Sequence, residues 1–345
     1  MRDLEILTAS GRCAVRVGDV AGELDQLLAG RDVAVVADAN VRRLYPDFFK
    51  GRRTIALEPG EAAKTLRSLE SVYGKFLEFG LDRSSFVLGF GGGITCDVAG
   101  FAASTYLRGM GFGFVATTLL AQVDAAIGGK NGLNFQGFKN MIGLIRQPEF
   151  VLADPGFLRT LPPEEMRSGL AEAIKSGLIA DSGLFEFLEG HCEDVLGLDE
   201  VTVRRVVEAS AAVKVSIVQA DEREGGERRK LNFGHTLGHA LEKVHGLRHG
   251  EAVGIGMVLA AKISAARGML AFDDLFRIIK LLGRAGLPTQ VSTRPEEIIE
   301  AVRQDKKRAR EDFQFVCLAG IGRAEVVRMS CRELEECIDD LHLYP

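Results

Sequence analysis

No CxxC pair, no run of about eighteen apolar residues and no large excess of either charge is found in this sequence, and each absence closes off a class of function. The six cysteines, Cys13, Cys96, Cys192, Cys317, Cys331 and Cys337, are scattered along the chain. That scatter argues against a disulfide framework and against a thiolate zinc site, so a bound metal must be held by nitrogen and oxygen. The net charge is -5, from 43 basic and 48 acidic residues mixed throughout, which leaves no electrostatic footprint for nucleic acid and no basic face for a membrane. The expected partners are small molecules and a second copy of the chain. The opening MRDLEILTAS lacks the apolar core of a signal peptide, which gives a cytoplasmic expectation. Internal repeats and low-complexity tracts are missing too.

The 345 residues exceed the usual limit of a single core, so two domains are expected. The first half alternates β-branched runs with helical stretches: DVAVVADAN at 32–40, an amphipathic run at 62–79, SSFVLGF at 84–90, a helical run at 94–107 and GFGFVATT at 111–118. This rhythm predicts a parallel α/β sheet. Prolines 148, 155, 162 and 163 mark a change of texture, and a boundary near 155 separates an α/β domain over 1–155 from a mainly α-helical one over 156–345. Helices are predicted over 164–178, 199–220, 235–244, 251–267, 273–285 and 295–303, interrupted only by a strand at 313–319.

GFGGGITCDVAG at 89–100 follows a predicted strand and opens a predicted helix, where backbone amides and the helix dipole can hold a diphosphate. It is not GxGxxG, because Ile94 stands in place of the third glycine. A tightly packed glycine turn is the plainer alternative. Asp38 at the end of the first strong strand, Asp97 after the glycines, and Thr117 and Thr118 closing a later strand together favour a nucleotide.

Four of the six histidines, His235, His239, His245 and His249, lie within fifteen residues. His235 and His239 are spaced i,i+4, so their imidazoles leave one helix face about 6 Å apart. One divalent ion could bridge them, or one could ligate while the other handles protons; the spacing is compatible with both. Thr236 replaces the glutamate of HExxH, which removes the main support for peptide hydrolysis. His249 and Glu251 open the next helix. His191, His245 and His342 read as ordinary core or surface residues. On the helix 166–179, otherwise lined with Leu170, Ala173, Ile174 and Leu178, Glu172 and Lys175 are three apart and share one face. That is either a surface salt bridge or a carboxylate ligand completing a site with two histidines. Asp124, Lys130, Lys139 and Asn140 sit among glycines in a composition suited to a phosphate.

In order along the chain, PGEAAKT, GFGGGITCDVAGFAASTYLRG, ATTLLAQVDAAIGGK, KNMIG, TLPPEEMRSGLAEAIK, ADEREGG, LNFGHTLGHALE and HGEAVGIGM resemble the motifs of the 3-dehydroquinate synthase family of sugar-phosphate cyclases. The resemblance runs from about Glu61 to Gly320. It implies an N-terminal parallel-sheet nucleotide-binding domain followed by a mainly α-helical metal- and substrate-binding domain, with NAD and a divalent metal, zinc first and cobalt second, in the cleft between them. Carried over by position, it makes Glu172, His235 and His249 the metal ligands and His239 a phosphate-facing residue that helps move protons. It assigns NAD to Asp38, Glu61, Lys64, Gly91, Gly92, Gly93, Asp97, Thr117, Thr118, Lys139 and Thr160. The substrate falls to Asp124, Lys175 and Lys214, with Lys130, Asn140, Arg228, Asn232 and one of Lys306 and Lys307. Arg108 is lent to the neighbouring subunit, which implies a homodimer.

The activity so implied converts 3-deoxy-arabino-heptulosonate 7-phosphate to 3-dehydroquinate and phosphate in the shikimate pathway. NAD transiently oxidises a ring carbinol, phosphate is eliminated, the hydride returns, and an internal aldol closes the ring. Arg228 with Asn232 favours a substrate bearing a carboxylate. KNGLNFQGFKN departs from the family's usual loop at Asn131, Phe135, Gln136 and Phe138, and ITCD brings in Thr95 and Cys96, the latter read as a small packed thiol. The alternatives are a sibling cyclase making an aminated or neutral carbocycle, a metal-dependent polyol dehydrogenase that would accumulate NADH, and a binding module that keeps the fold.

Overall fold

The computed structural model describes residues 2–292, 294–306 and 312–340. In chain order its first part contains β1 (Arg2–Thr8), β2 (Gly11–Val17), α1 (Ala21–Leu28), β3 (Val33–Asp38), α2 (Ala39–Leu44), β4 (Arg53–Leu57), α3 (Leu66–Glu78), β5 (Phe86–Gly91), α4 (Gly93–Thr105) and β6 (Gly111–Ala116). Strands β7 (Lys130–Phe135), β8 (Phe138–Ile145) and β9 (Phe150–Ala153) follow. The rest holds helices α5 (Pro163–Ala180), α6 (Ser182–Leu196), α7 (Glu200–Ala220), α8 (His235–His245), α9 (His249–Ala266), α10 (Phe272–Arg284) and α11 (Pro295–Lys306), then β10 (Asp312–Leu318), β11 (Ala324–Ser330) and α12 (Cys331–Asp340). No helix among the described residues is long and apolar enough to cross a membrane.

One compact unit comprises residues 1–162 together with 203–222, the other 163–202 with 223–345. A single cut at 155 does not describe this division, because most of α7 clusters with the sheet unit that precedes it in sequence. In the first unit, seven strands run in the order β1-β2-β9-β6-β5-β3-β4. The six from β2 to β4 are parallel, and β1 pairs antiparallel with β2 at the edge. Strands buried on both faces need continuous apolar runs, and every residue of β5 is buried. Gly89 and Gly113 give up side chains to make room for rings: a Cβ on Gly89 would lie 2.9 Å from Phe114, and one on Gly113 2.6 Å from Phe150.

The strand order reverses between β3 and β5, because the chain adds β4 on one side of that pair and β6 on the other. Ligands of open α/β sheets bind at the carboxyl ends of strands at such a point. Asp38 ends β3 and Gly91 ends β5.

The departures at 131–138 belong to the hairpin β7–β8. Phe135 pairs with Phe138 across Gln136 and Gly137, whose φ values of 49° and 81° fit a type I′ turn. Asn131 is buried, and its amide donates to the carbonyls of Gly129 and Arg146 at 2.8 and 3.1 Å. It also stands where Gly100 of α4 has no side chain, since a Cβ there would fall 1.9 Å from Asn131 Oδ1. These substitutions serve the hairpin's own packing and turn geometry.

In the second unit the strand at 313–319 does not stand alone. It is β10, paired antiparallel with β11. Helix α6 also lies in a stretch where no element was predicted. The α8–α9 and α5–α9 contacts bring the unit's chemistry together.

Candidate functional site

Helices α8 and α9 touch because glycines face each other. Gly234 has a φ of 76° and precedes α8, and a Cβ on it would lie 2.8 Å from the Met257 nitrogen. A Cβ on Gly256 would come within 2.1 Å of the Gly234 carbonyl, and one on Gly238 within 3.0 Å of the Ala252 carbonyl. On the other side Gly250 lies against Ser168 of α5, whose hydroxyl accepts the Gly250 N–H at 3.1 Å. Glu172 is one turn beyond Ser168, so this packing aims it at the histidines that begin α8 and α9. Replacing Gly256 with alanine is expected to cost at least about 1–3 kcal/mol of overpacking. Urea unfolding checks this, and an unchanged midpoint would reject the tight helix contact.

Glu172 is 0% exposed, and an isolated buried carboxylate would cost several kcal/mol. Here it is surrounded. Lys175 forms an ion pair with it from the same helix, His235 Nε2 lies 3.5 Å from its Oε1 and His249 Nε2 3.3 Å. Burial alone would raise its acidity range, but Lys175 first, then His235 and His249, hold the carboxyl well below the usual value. Burial, reinforced by Lys175, pushes His235 down to about 3 against the pull of Glu172, so this imidazole is neutral near pH 7. Burial also works against protonation of His249, yet its hydrogen bond to Glu172, that carboxylate's charge and Glu242 move it up overall. His235 Nδ1 lies 3.1 Å from the Phe233 carbonyl, a contact that leaves Nε2 facing Glu172.

Ligand atoms of Glu172, His235 and His249 all lie within 4.8 Å of one another. One ionised carboxylate and two imidazoles suit a zinc-like ion and leave room for a further ligand. The ring of His239 is 5.4 Å from that of His235 and 6.4 Å from that of His249. Ligand atoms of His239, Glu242 and His249 likewise lie within 4.8 Å of one another. Glu242 was missed in the sequence, although its i,i+3 spacing from His239 on a helix was the available signal.

Arg228 and Asn232 occupy the 3-10 turn leading into α8. Arg228 is only 1% exposed, and Asn232 donates to Glu224. His191 stacks on Phe187 at 4.3 Å. His245 is exposed near the end of α8, and His342 lies outside the described residues. Helix α11 ends at Lys306, and Lys307 also lies outside the described residues.

In the first unit the ends of β3, β5 and β6 bring Asp38, Gly91, Gly92, Thr117 and Thr118 close together. A Cβ on Gly91 would meet Thr95 Oγ1 at 2.7 Å and Asp38 Cβ at 3.1 Å; one on Gly92 would meet Thr118 at 3.0 Å, and one on Gly93 Ala125 at 2.8 Å. No side chain caps α4 at Gly92, so its first-turn amides can receive an anion. Asp38 caps α2 instead, accepting from the nitrogens of Asn40 and Val41 at 2.8 and 3.2 Å. Thr117 Oγ1 is buried with no hydrogen-bond partner among the described residues, a polar atom that a bound group would satisfy. Thr118 Oγ1 accepts the Ala121 N–H at 3.1 Å. Thr160 bonds to the Tyr45 hydroxyl at 2.9 Å. Cys96 is buried, and burial pushes its thiol up, which fits a packing role.

Lys64 joins two groups that the sequence kept apart, since its Nζ pairs with Asp97 and donates to Asn140 Oδ1 at 2.6 Å. Asn140 has a φ of 54°, and its N–H donates to Asn134 Oδ1 at 2.9 Å. Asn134 donates in turn to Glu61 at 2.6 Å, and its N–H to the Lys64 carbonyl at 2.8 Å. This organising role of Asn134 was not foreseen. Asp124 pairs with Lys214 of α7, a helix whose Ala211, Val215 and Val218 are buried in the core of the sheet unit. Lys130 and Lys139 are exposed on the hairpin, and Arg108 is exposed where Leu107 and Arg108 take φ values of 49° and 68°.

Burial pushes the Asp97 carboxyl up to about 6, against the opposing effect of Lys64, and its side chain is 19% exposed. Because the folded value exceeds the ordinary 3.8, the folded protein keeps a proton that the unfolded chain loses, and stability falls as pH rises across that window by about 3 kcal/mol. Denaturation of the wild type and Asp97→Asn at the two ends of the window should show the wild type losing ground by that amount. A constant difference would reject the shift.

Two family models match in succession: 3-dehydroquinate synthase N-terminal over residues 54–168 and 3-dehydroquinate synthase C-terminal over residues 169–308. The 3-dehydroquinate synthase of Pelobacter propionicus is 43% identical over 324 residues, 90% of this chain and 90% of that one. Among solved structures, 2-epi-5-epi-valiolone synthase from Streptomyces hygroscopicus subsp. jinggangensis, with NAD+ and Zn2+ bound, has a TM-score of 0.87 at 29% identity, with 100% of each chain covered. A 2-deoxy-scyllo-inosose synthase complexed with carbaglucose-6-phosphate, NAD+ and Co2+ has a TM-score of 0.84 at 25% identity, covering 98% of this chain and 99% of that one.

Proposed function

Because the chain belongs to the 3-dehydroquinate synthase family, we propose that it is a phosphate-eliminating carbon-oxygen lyase that converts 3-deoxy-arabino-heptulosonate 7-phosphate to 3-dehydroquinate and phosphate. The observation that carries this reading is the buried, ionised Glu172 within reach of His235 and His249, in a chain 43% identical to a 3-dehydroquinate synthase. The cofactors we assign are NAD and a divalent ion, zinc or cobalt, in keeping with those bound by the two cyclase structures.

Glu172, His235 and His249 would hold the ion, which supplies Lewis acidity to a substrate oxygen. Gly91, Gly92 and Gly93, packed against Asp38, Thr95, Thr118 and Ala125, would bring the amides at the start of α4 to a diphosphate, while Thr117 would offer its buried hydroxyl. Asp38, Glu61, Lys64, Asp97, Thr118, Lys139 and Thr160 complete the proposed NAD set. Lys130, Asn140 and the Asp124–Lys214 pair would orient the phosphorylated substrate, and His239 would take up and return protons at its imidazole nitrogens. Arg228 would clamp the substrate carboxylate with Asn232 beside it. Lys175 keeps Glu172 ionised and would bind the substrate once the ion takes over that charge. For the exposed Arg108 we propose a role in the phosphate site of a second copy of the chain, in a homodimer.

Phosphate release from 3-deoxy-arabino-heptulosonate 7-phosphate, with and without chelator, tests the proposal. Release that chelation abolishes, with no build-up of NADH, is the expected result. No release by the protein loaded with metal and NAD would overturn it, and NADH accumulating from a simple polyol would point to a dehydrogenase instead.

A further inference from the structure

Strand β7 breaks its pairing with β8 at Asn134: Leu133 pairs with Ile142 and Phe135 with Phe138, with a register shift between them. A residue at such a bulge turns its groups away from the ladder. The Asn134 N–H goes instead to the Lys64 carbonyl at 2.8 Å, and the side chain reaches two ways. Its amide nitrogen donates to Glu61 Oε1 at 2.6 Å, and its Oδ1 accepts the Asn140 N–H at 2.9 Å. A carboxylate only accepts and a backbone N–H only donates, so one small side chain between them must offer both a donor and an acceptor, as a carboxamide does.

A closed circuit results. Asn140, held at a φ of 54°, turns its own Oδ1 to Lys64 Nζ at 2.6 Å, and the buried Lys64 pairs with Asp97. Glu61, Lys64 and Asp97 belong to the proposed cofactor set, and Asn140 to the proposed substrate set. Asn134 belongs to neither, yet it is bonded to Glu61, Lys64 and Asn140. Groups tied in this way are ordered together, and a ligand that fixes one side lowers the cost of fixing the other.

We propose that Asn134 is a positioning residue through which NAD and the substrate phosphate strengthen each other's binding. The inference rests on the cyclase reading, which assigns NAD to Glu61 and Lys64 and the phosphorylated substrate to Asn140. Linkage makes the effect reciprocal, so each ligand tightens the other by the same factor.

Calorimetric titration with NAD and with inorganic phosphate, each alone and with the other saturating, measures that factor without turnover. In the wild type it should be at least about fivefold, and in Asn134→Ala about one. Asn134→Asp keeps the acceptor for the Asn140 N–H but sets two carboxylates face to face, so the factor should fall there too. Adding Glu61→Gln places a donor opposite the new acceptor and should bring most of it back. A residue that only held the hairpin's shape would weaken phosphate equally with and without NAD, leaving the factor unchanged in Asn134→Ala, and that outcome would overturn the proposal. So would a factor of about one in the wild type, or a double variant no better than Asn134→Asp alone. Coupling without phosphate release from 3-deoxy-arabino-heptulosonate 7-phosphate would overturn the assigned reaction only, and release without coupling would overturn this inference only.

Discussion

Metal content falls from about one ion per chain to less than about a tenth of that when His249 is replaced by alanine, and turnover falls with it by about a thousandfold or more. The reason is geometric. His249 Nε2 lies 3.3 Å from Glu172 Oε1, so its loss removes one of three converging donors and leaves the carboxylate with Lys175 and His235. The fold should survive, because Gly250, not His249, makes the close contact of α9 with α5. His239→Ala separates ligation from proton handling: it should retain the ion and lose about 100- to 10,000-fold in rate. Metal analysis with circular dichroism on both variants checks this. Stoichiometric metal in the His249→Ala protein would refute the ligand assignment.

Arg228→Met should lower kcat/KM for the carboxylate-bearing substrate by about 30- to 5,000-fold, corresponding to about 2–5 kcal/mol for one partner of a desolvated charge pair. At 1% exposure, Arg228 would meet a carboxylate out of water, where pairing matters most. Arg228→Lys keeps the charge but not the two-pronged donor set, so it should recover only part of the loss. A substrate analogue without the carboxylate should show little difference among the three proteins. An equal penalty on that analogue would assign Arg228 to stability instead.

Much of the architecture was legible because burial leaves a periodic trace. β3, β5 and β6 are apolar runs, and α5, α7, α8, α9 and α10 begin and end within a few residues of their predicted limits. The hairpin β7–β8 was not legible. Its stretch KNGLNFQGFKNMIG has the glycines and polar residues of a binding loop, and only the positive φ values at Gln136, Gly137 and Asn140 reveal how the backbone uses them. Nor does any local signal show that α7 joins a unit formed by residues far from it in sequence, since the Asp124–Lys214 pair that marks the association spans 90 positions.

The candidate site divides in the same way. The histidine cluster and the carboxylate on an apolar helix stood out as unusual residues in their surroundings, and these side chains do converge. Glu242 looked like one more charge on an amphipathic helix, and Asn134 like loop polarity. Their positions depend on which helices and strands touch, and that was set by glycines whose role is to be small.

The closeness of Gly100 to Asn131, with only 1.9 Å between a would-be Cβ and the amide oxygen, has a bearing on descent. The two positions should be inherited as a single character. A lineage gains alanine at 100 more readily after the residue at 131 has shortened, and even then the ring of Phe114 must give way, because its Cζ would lie 2.9 Å from the new Cβ. The order of historical substitutions at these two sites is therefore constrained by sterics alone.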